Sequence, residues 1–318
     1  MNLGLLLWNR CNIECGHCAV DSGPHHRPVM TDDQILRAID AAFHDDSRPS
    51  IGFSGGEVLL HVDRLCRFLS YATRRGARTS ITTNAFWART AESADTTVRR
   101  LLAAGLTRMV VSTDEFHQEF VPESRAVNAI LACKRAHLEV ELQWVSARGR
   151  RRMASFLAEH GDALLNINCR EFPCHPVGRG ATVVAADLIL QPGLPDGKCP
   201  SAVVSVAADG RVIPCCNTAG HLPTLQVGHI DEDLVALDKK NQRDPAMVVL
   251  RRLGPRRLAE AVGEFHPNPS GYVDQCHLCF DLFKDPTIAR ACRAAAVDVL
   301  TDEIAGQVAS SACNTTQT

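Results

Sequence analysis

The sequence predicts an α/β fold of parallel strands with helical crossovers, followed by a smaller cysteine-rich unit and a C-terminal helix. Three observations carry this. From residue 2 to about 170, short apolar runs alternate with segments of helical period, the grammar of strands joined by helices on an outer face. After Pro176 that grammar stops, and Gly178, Gly180, Pro192, Gly193, Pro195 and Gly197 punctuate a loop-rich linker. Cysteines also fall in two groups, one in each part of the chain.

In chain order, Leu3 to Trp8 reads as a strand and Thr31 to His44 as a helix capped by Thr31 and Asp32. Ser50 to Phe53 is a strand, and Val62 to Arg75 a helix stopped by Gly76. Arg78 to Thr82 is a strand, Glu92 to Ala104 a helix closing at Gly105, and Arg108 to Ser112 a strand. A helix over Pro122 to Ala136, a strand over Leu138 to Val145, a helix over Arg151 to His160 and a strand over Leu164 to Asn168 complete six β units. Beyond the linker, Ala202 to Val206 and Arg211 to Ile213 flank Asp209-Gly210, a favoured hairpin turn pair. Asp231 to Arg257 is polar and basic with helical patches. Residues 286–310 read as an alanine-rich helix, and Cys313 to Thr318 as a frayed tail. The boundaries divide the chain at 1–180, 181–285 and 286–318.

Composition excludes several classes. A length of 318 residues suggests about two domains. With 45% hydrophobic and 22% charged residues, the balance is that of a folded globular chain. The net charge of −2 supplies no basic field for nucleic acid. No apolar run approaches the roughly 20 residues of a membrane-spanning helix. The opening MNLGLLLWNRC lacks the basic start and cleavage site of a secretory signal, so a cytoplasmic protein is expected. Fourteen cysteines are then anomalous, because in a reducing compartment clustered thiols bind metal or do redox chemistry.

The segment Cys11-Asn-Ile-Glu-Cys15-Gly-His17-Cys18 follows the first strand, and a loop there can converge three thiolates, which suit iron and sulfide. On spacing alone it fits an iron–sulfur cluster with one open iron, or a zinc knuckle completed by His17 or a distant cysteine. Gly55-Gly56-Glu57 follows the second strand: paired glycines permit close backbone approach, and a carboxylate can accept from an ammonium.

With these two motifs at the first two strand ends, residues 3 to 180 resemble the radical S-adenosylmethionine (SAM) superfamily, whose fold is a partial (β/α)6 barrel. The resemblance implies that Cys11, Cys15 and Cys18 hold a 4Fe-4S cluster whose open iron is chelated by the methionyl amine and carboxylate of SAM. It also implies that Gly55, Gly56 and Glu57 face the methionyl ammonium. Thr83-Asn84 and Ser112-Thr113-Asp114 end the third and fourth strands, where the family contacts the cofactor's carboxylate or ribose, or the substrate; simple helix capping is the alternative. His17 stands where the family usually has an aromatic residue beside the adenine. His117, close after Asp114 at the barrel mouth, is a further candidate for substrate or cofactor contact, or a structural hydrogen-bonder.

Cys199, Cys215 in Asp209-Gly-Arg-Val-Ile-Pro-Cys215, and Cys276-His-Leu-Cys279 supply four thiolates from three segments, enough for a second 4Fe-4S cluster or a zinc site. This spacing resembles the twitch domain, the abbreviated SPASM auxiliary-cluster domain, and Pro176-Val-Gly-Arg179-Gly resembles the barrel exit of SPASM enzymes. The resemblance implies one auxiliary cluster on Cys199, Cys215, Cys276 and Cys279 with no open iron; Cys292 and Cys313 do not fit the spacing of another. Cys216 is left over as a candidate hydrogen-atom donor, with Cys169 and Cys174 competing for that role. Cys66 and Cys133 lie on apolar helical faces as core residues.

The implied chemistry is reductive cleavage of SAM to a 5′-deoxyadenosyl radical that abstracts hydrogen from a substrate carbon. In size, single auxiliary cluster and spare thiol, the chain resembles small radical peptide epimerases. The expected substrate is a ribosomally made precursor peptide, and the expected reductant is of flavodoxin or ferredoxin type. The alternatives are a twitch-type dehydrogenase acting on a small-molecule carbinol or aminocyclitol, and a non-catalytic zinc module. A donor thiol discriminates, since epimerisation needs one and dehydrogenation does not.

Overall fold

A computed structural model describes residues 1–318 except 28, 29, 46, 47, 184, 202, 216 and 316–318. Its first six strands are β1 (Leu3–Leu6), β2 (Ser50–Ser54), β3 (Arg78–Thr83), β4 (Arg108–Ser112), β5 (Glu139–Ser146) and β6 (Asn168–Pro173). They pair in parallel in sequence order, each with the next. Between them run α1 (Asp32–Ala41), α2 (Val62–Arg74), α3 (Ala91–Ala103), the short α4 (Glu115–Gln118) with α5 (Glu123–Arg135), and α6 (Met153–Leu164). Local chemistry explains their starts: Thr31 and Thr90 close capping boxes with Gln34 and Ser93. Alternate strand residues such as Leu3, Phe53, Ile81, Val111 and Trp144 pack under these helices in the main apolar core. The opposite, inner strand face mixes Gly4, Gly52, Ser80, Ser112, Gln143 and Arg170 with the apolar Leu6, Val110 and Val145.

Two expected boundaries move. The apolar run at Leu164 is the end of α6, burying Leu164 in the core, and β6 starts at Asn168 after Asn166 turns through a left-handed φ of 63°. β6 is an edge strand, which is why a sequence as polar as Asn-Cys-Arg-Glu forms it. At the other end, α12 (Pro286–Thr315) passes through the expected tail at Cys313. The helix runs unbroken through Gly306, which costs about 1 kcal/mol.

After α7 (Gly180–Val183), the hairpin β7 (Val204–Val206) and β8 (Arg211–Ile213) joins the sheet rather than standing apart. β7 lies parallel to β1, with Gly4 opposite Ser205, and β9 (Gly228–His229) closes a nine-stranded order β6-β5-β4-β3-β2-β1-β7-β8-β9. Ala202, the expected start of that strand, lies outside the described residues. Helix α8 (Leu234–Arg243) buries Leu234 and Leu237 in the main core, while α9 (Pro245–Arg252), α10 (Pro255–Ala261), α11 (Gln275–Lys284) and α12 enclose a second core around Leu250, Leu258, Tyr272, Leu282 and Phe283. No helix among the described residues is long and apolar enough to cross a membrane.

Candidate active site and second cysteine centre

The loop after β1 brings Cys11, Cys15 and Cys18 together. Cys11 N–H donates to the Gly23 carbonyl at 3.0 Å, Cys18 N–H to the Cys15 carbonyl at 3.1 Å, and Ser22 N–H to Cys18 Sγ at 3.3 Å. Burial pushes the Cys11 thiol up to about 12, with Glu57 and Cys18 adding to the rise. Cys15 rises too, through burial first and then Asp114 and the other two thiols. Burial keeps Cys11 and Cys15 neutral in the absence of metal, and a positively charged iron centre would ionise them. Cys15 Sγ and ring nitrogens of His17 and His117 lie within 4.8 Å of one another, and His17 Nδ1 is buried with no hydrogen-bond partner. An orphaned polar atom beside the thiols is what a site lacking its bound group would leave, so these residues fit a cluster with its cofactor.

Gly55 and Gly56 lie against the exit of β1. Gly56 N–H donates to the Trp8 carbonyl at 2.6 Å, and a Cβ at Gly56 would stand 2.2 Å from the Arg10 carbonyl oxygen. The close approach expected toward a ligand is thus made to the chain's own backbone. Glu57 is fully buried, and its carboxylate accepts from Leu59 N–H at 3.0 Å, Thr83 Oγ1 at 2.9 Å and Asn84 N–H at 2.8 Å. Burial raises Glu57 to about 7 despite these donors. Asn84 Nδ2 in turn reaches Cys11 Sγ at 3.8 Å and Asn12 Oδ1 at 3.0 Å. Glu57 therefore ties the ends of β2 and β3 to the cysteine loop. Thr83 is the partner that sequence reasoning undervalued; its adjacency to Asn84 was the available signal.

Asp114 caps α4 and is buried between two imidazoles, 2.9 Å from His117 Nδ1 and 3.5 Å from His17 Nε2. Burial alone would raise it, but His117 and His17 hold it down to about 2. His117 is raised by Asp114 against its burial, whereas burial lowers His17 to about 4. The His17 ring stacks on Phe116 at 4.7 Å, with the Arg150 guanidinium 4.0 Å from the Phe116 ring centre. Ser112 ends β4, half-buried on the inner face.

Cys199, Cys215, Cys276 and Cys279 line one cavity with Pro200, Leu250 and Gln275. Burial raises Cys276 and Cys279, and their neighbouring thiols raise them further. Asn217 Nδ2 donates to Cys276 Sγ at 3.4 Å. A lining with four thiols and no carboxylate suits a cluster or zinc. Cys292 is buried in the second core, close enough to Cys279 to raise it. Cys216 lies outside the described residues, as does the side chain of Cys313. Cys169 packs toward the helices, Cys133 is buried against Met109 and Cys66 is half-buried against the same core. Cys174 instead shares the mouth's apolar cluster with Cys11 and Cys15, 1% exposed and pushed up to about 12 by burial.

Residues 5–140 match the Radical SAM superfamily. That segment is a radical SAM domain, the domain of enzymes whose cofactors are SAM and a 4Fe-4S cluster. The chain is 24% identical over 216 residues to the putative peptide biosynthesis protein YydG of Bacillus subtilis (strain 168), spanning 66% of this chain and 67% of that one. Among solved structures, native anSMEcpe with bound AdoMet and Cp18Cys peptide shares the fold at TM-score 0.52 and 14% identity, over 93% of this chain and 99% of that one. Streptococcus suis SuiB bound to S-adenosylmethionine does so at TM-score 0.50 and 16% identity, over 74% of this chain and 64% of that one.

Proposed function

We propose that this enzyme modifies a ribosomally made peptide, and most specifically inverts an L-residue at Cα. The observation that carries the peptide reading is the 216-residue likeness to a putative peptide biosynthesis protein. On this reading Cys11, Cys15 and Cys18 hold the cluster, which supplies the electron that cleaves SAM to methionine and a 5′-deoxyadenosyl radical. Asn84, Ser112, His17 and the Gly55-Gly56-Glu57 turn shape the cofactor's berth, with Asp114 orienting His17 and His117. Cys199, Cys215, Cys276 and Cys279 hold an auxiliary 4Fe-4S cluster.

Inversion requires a thiol on the far side of the substrate carbon. The radical takes hydrogen from Cα to give 5′-deoxyadenosine, the thiol returns a hydrogen atom, and the resulting thiyl takes up one electron and one proton. Each turnover consumes one SAM and two electrons from a reductant of flavodoxin or ferredoxin class. Cys216 is the first candidate donor. Cys174 is the second, because its buried, protonated thiol stands in the same cluster of side chains as Cys11 and Cys15.

Anaerobic turnover in deuterated water with synthetic candidate precursor peptides tests the reading by mass spectrometry. Epimerisation adds a single deuterium at Cα. Loss of two hydrogens would replace it by dehydrogenation, and no change in the peptide would sink the peptide reading. Cys216→Ser is expected to keep both clusters and 5′-deoxyadenosine formation but yield little product; normal turnover would move the donor to Cys174.

A further inference from the structure

The segment that leaves the barrel, 174–180, touches both cysteine groups. On one side Arg179 grips the first loop: Nε donates to the Cys15 carbonyl at 3.0 Å, and its terminal nitrogens reach the Ser22 carbonyl at 2.6 Å and Asp21 Oδ1 at 2.7 Å. Arg179 N–H donates to the Cys18 carbonyl at 3.1 Å. Gly178 has a φ of +54°, and a Cβ there would stand 2.3 Å from the Cys18 carbonyl oxygen, so the segment lies flush on the loop.

On the other side His175 Nε2 meets Asp274 Oδ1 at 2.9 Å. The same oxygen accepts from Cys276 N–H at 2.9 Å and His277 N–H at 3.0 Å, because Asp274 caps α11, the helix that carries Cys276 and Cys279. Both anchors are largely sheltered, with side-chain exposures of 21% for Arg179 and 12% for His175. Arg179 bonds to the backbone of the loop at Cys15 and Ser22 as well as to the exposed Asp21 carboxylate, and His175 bonds to the group that caps α11. Groups of this kind orient metal ligands and tune the centre they hold.

We propose that segment 174–180 is a strap that holds the Cys11–Cys15–Cys18 loop and the Cys276–Cys279 helix in one frame, with Arg179 and His175 as its positioning residues. This rests on reading both cysteine groups as iron–sulfur ligands. Its consequence is mechanical: the separation of the two centres is set by the strap, so cutting one anchor loosens their relative placement while the ligands themselves remain. A site that works within fractions of an ångström needs such support.

The test is pulsed dipolar electron paramagnetic resonance between the two reduced clusters of anaerobically reconstituted full-length protein, with iron counted for each sample. The parent is expected to hold two clusters and give a narrow distance distribution. His175→Ala and Arg179→Ala are expected to keep the iron but broaden that distribution, and His175→Gln, which retains a donor toward Asp274, to narrow it again. An unchanged distribution in both alanine variants, with both clusters present, overturns the strap. Fewer than two clusters in the parent instead overturns the ligand reading, before any variant is compared. Should His175→Ala lose the second cluster, the decision passes to Arg179→Ala, and a parental distribution there with both clusters present overturns the proposal.

Discussion

Glu57 is legible in the sequence as a carboxylate beside two glycines, but not as the buried tie between β2, β3 and the cysteine loop. Three donors converge on it from Leu59, Thr83 and Asn84. Removing the acceptor leaves buried donors unmet, so Glu57→Ala is expected to destabilise the metal-free fold by about 3 kcal/mol, read by urea unfolding. It is also expected to weaken SAM binding roughly ten-fold or more, the scale of a charge-assisted hydrogen bond; unchanged affinity would leave Glu57 a purely structural tie. Its pH signature has a definite sign. Burial raises its folded value from 4.5 to about 7, so the folded protein binds a proton that the unfolded chain releases. That contribution is fully present below 4.5 and is lost as pH rises through about 7, roughly 3 kcal/mol in all. The metal-free Glu57→Gln protein is expected to show a flatter stability profile between those limits. An identical slope would mean that another group titrates.

At the scale of elements, the turns separate into those that need glycine for close packing and those that need it only for dihedral freedom. Gly178 and Gly76 both have positive φ, but a Cβ at Gly178 would strike the Cys18 carbonyl, whereas one at Gly76 meets nothing within 4 Å. Gly76→Ala is therefore expected to cost about 1–2 kcal/mol, the dihedral strain alone. Gly178→Ala must also displace the cysteine loop, and is expected to lose iron on reconstitution while Gly76→Ala retains it. Equal iron in both variants would show that the strap's close approach is dispensable. The register of β6 follows the same logic: an edge strand needs little apolar content, so its polar sequence hid it, while the apolar end of α6 mimicked a strand.

For the whole molecule, two four-iron clusters predict about eight irons per chain after anaerobic reconstitution. Replacing Cys11, Cys15 and Cys18 together by alanine is expected to remove about half the iron and all SAM cleavage, leaving the second centre in place. Stoichiometric zinc with no iron would refute both clusters. The sequence by itself determined the alternating strands and helices, the parallel sheet they imply and the two sets of cysteines, because periodicity and ligand spacing are local properties of a chain. The tertiary structure alone shows that β7 lies beside β1, that Glu57 and Asn84 tie β2 and β3 to the first loop, that Cys174 rather than Cys169 shares a cluster with Cys11 and Cys15, and that His175 meets Asp274 across 99 residues. Those contacts join segments far apart in the chain. They exist because burying a charge or a thiol requires a partner, and no local pattern says which distant segment will supply it.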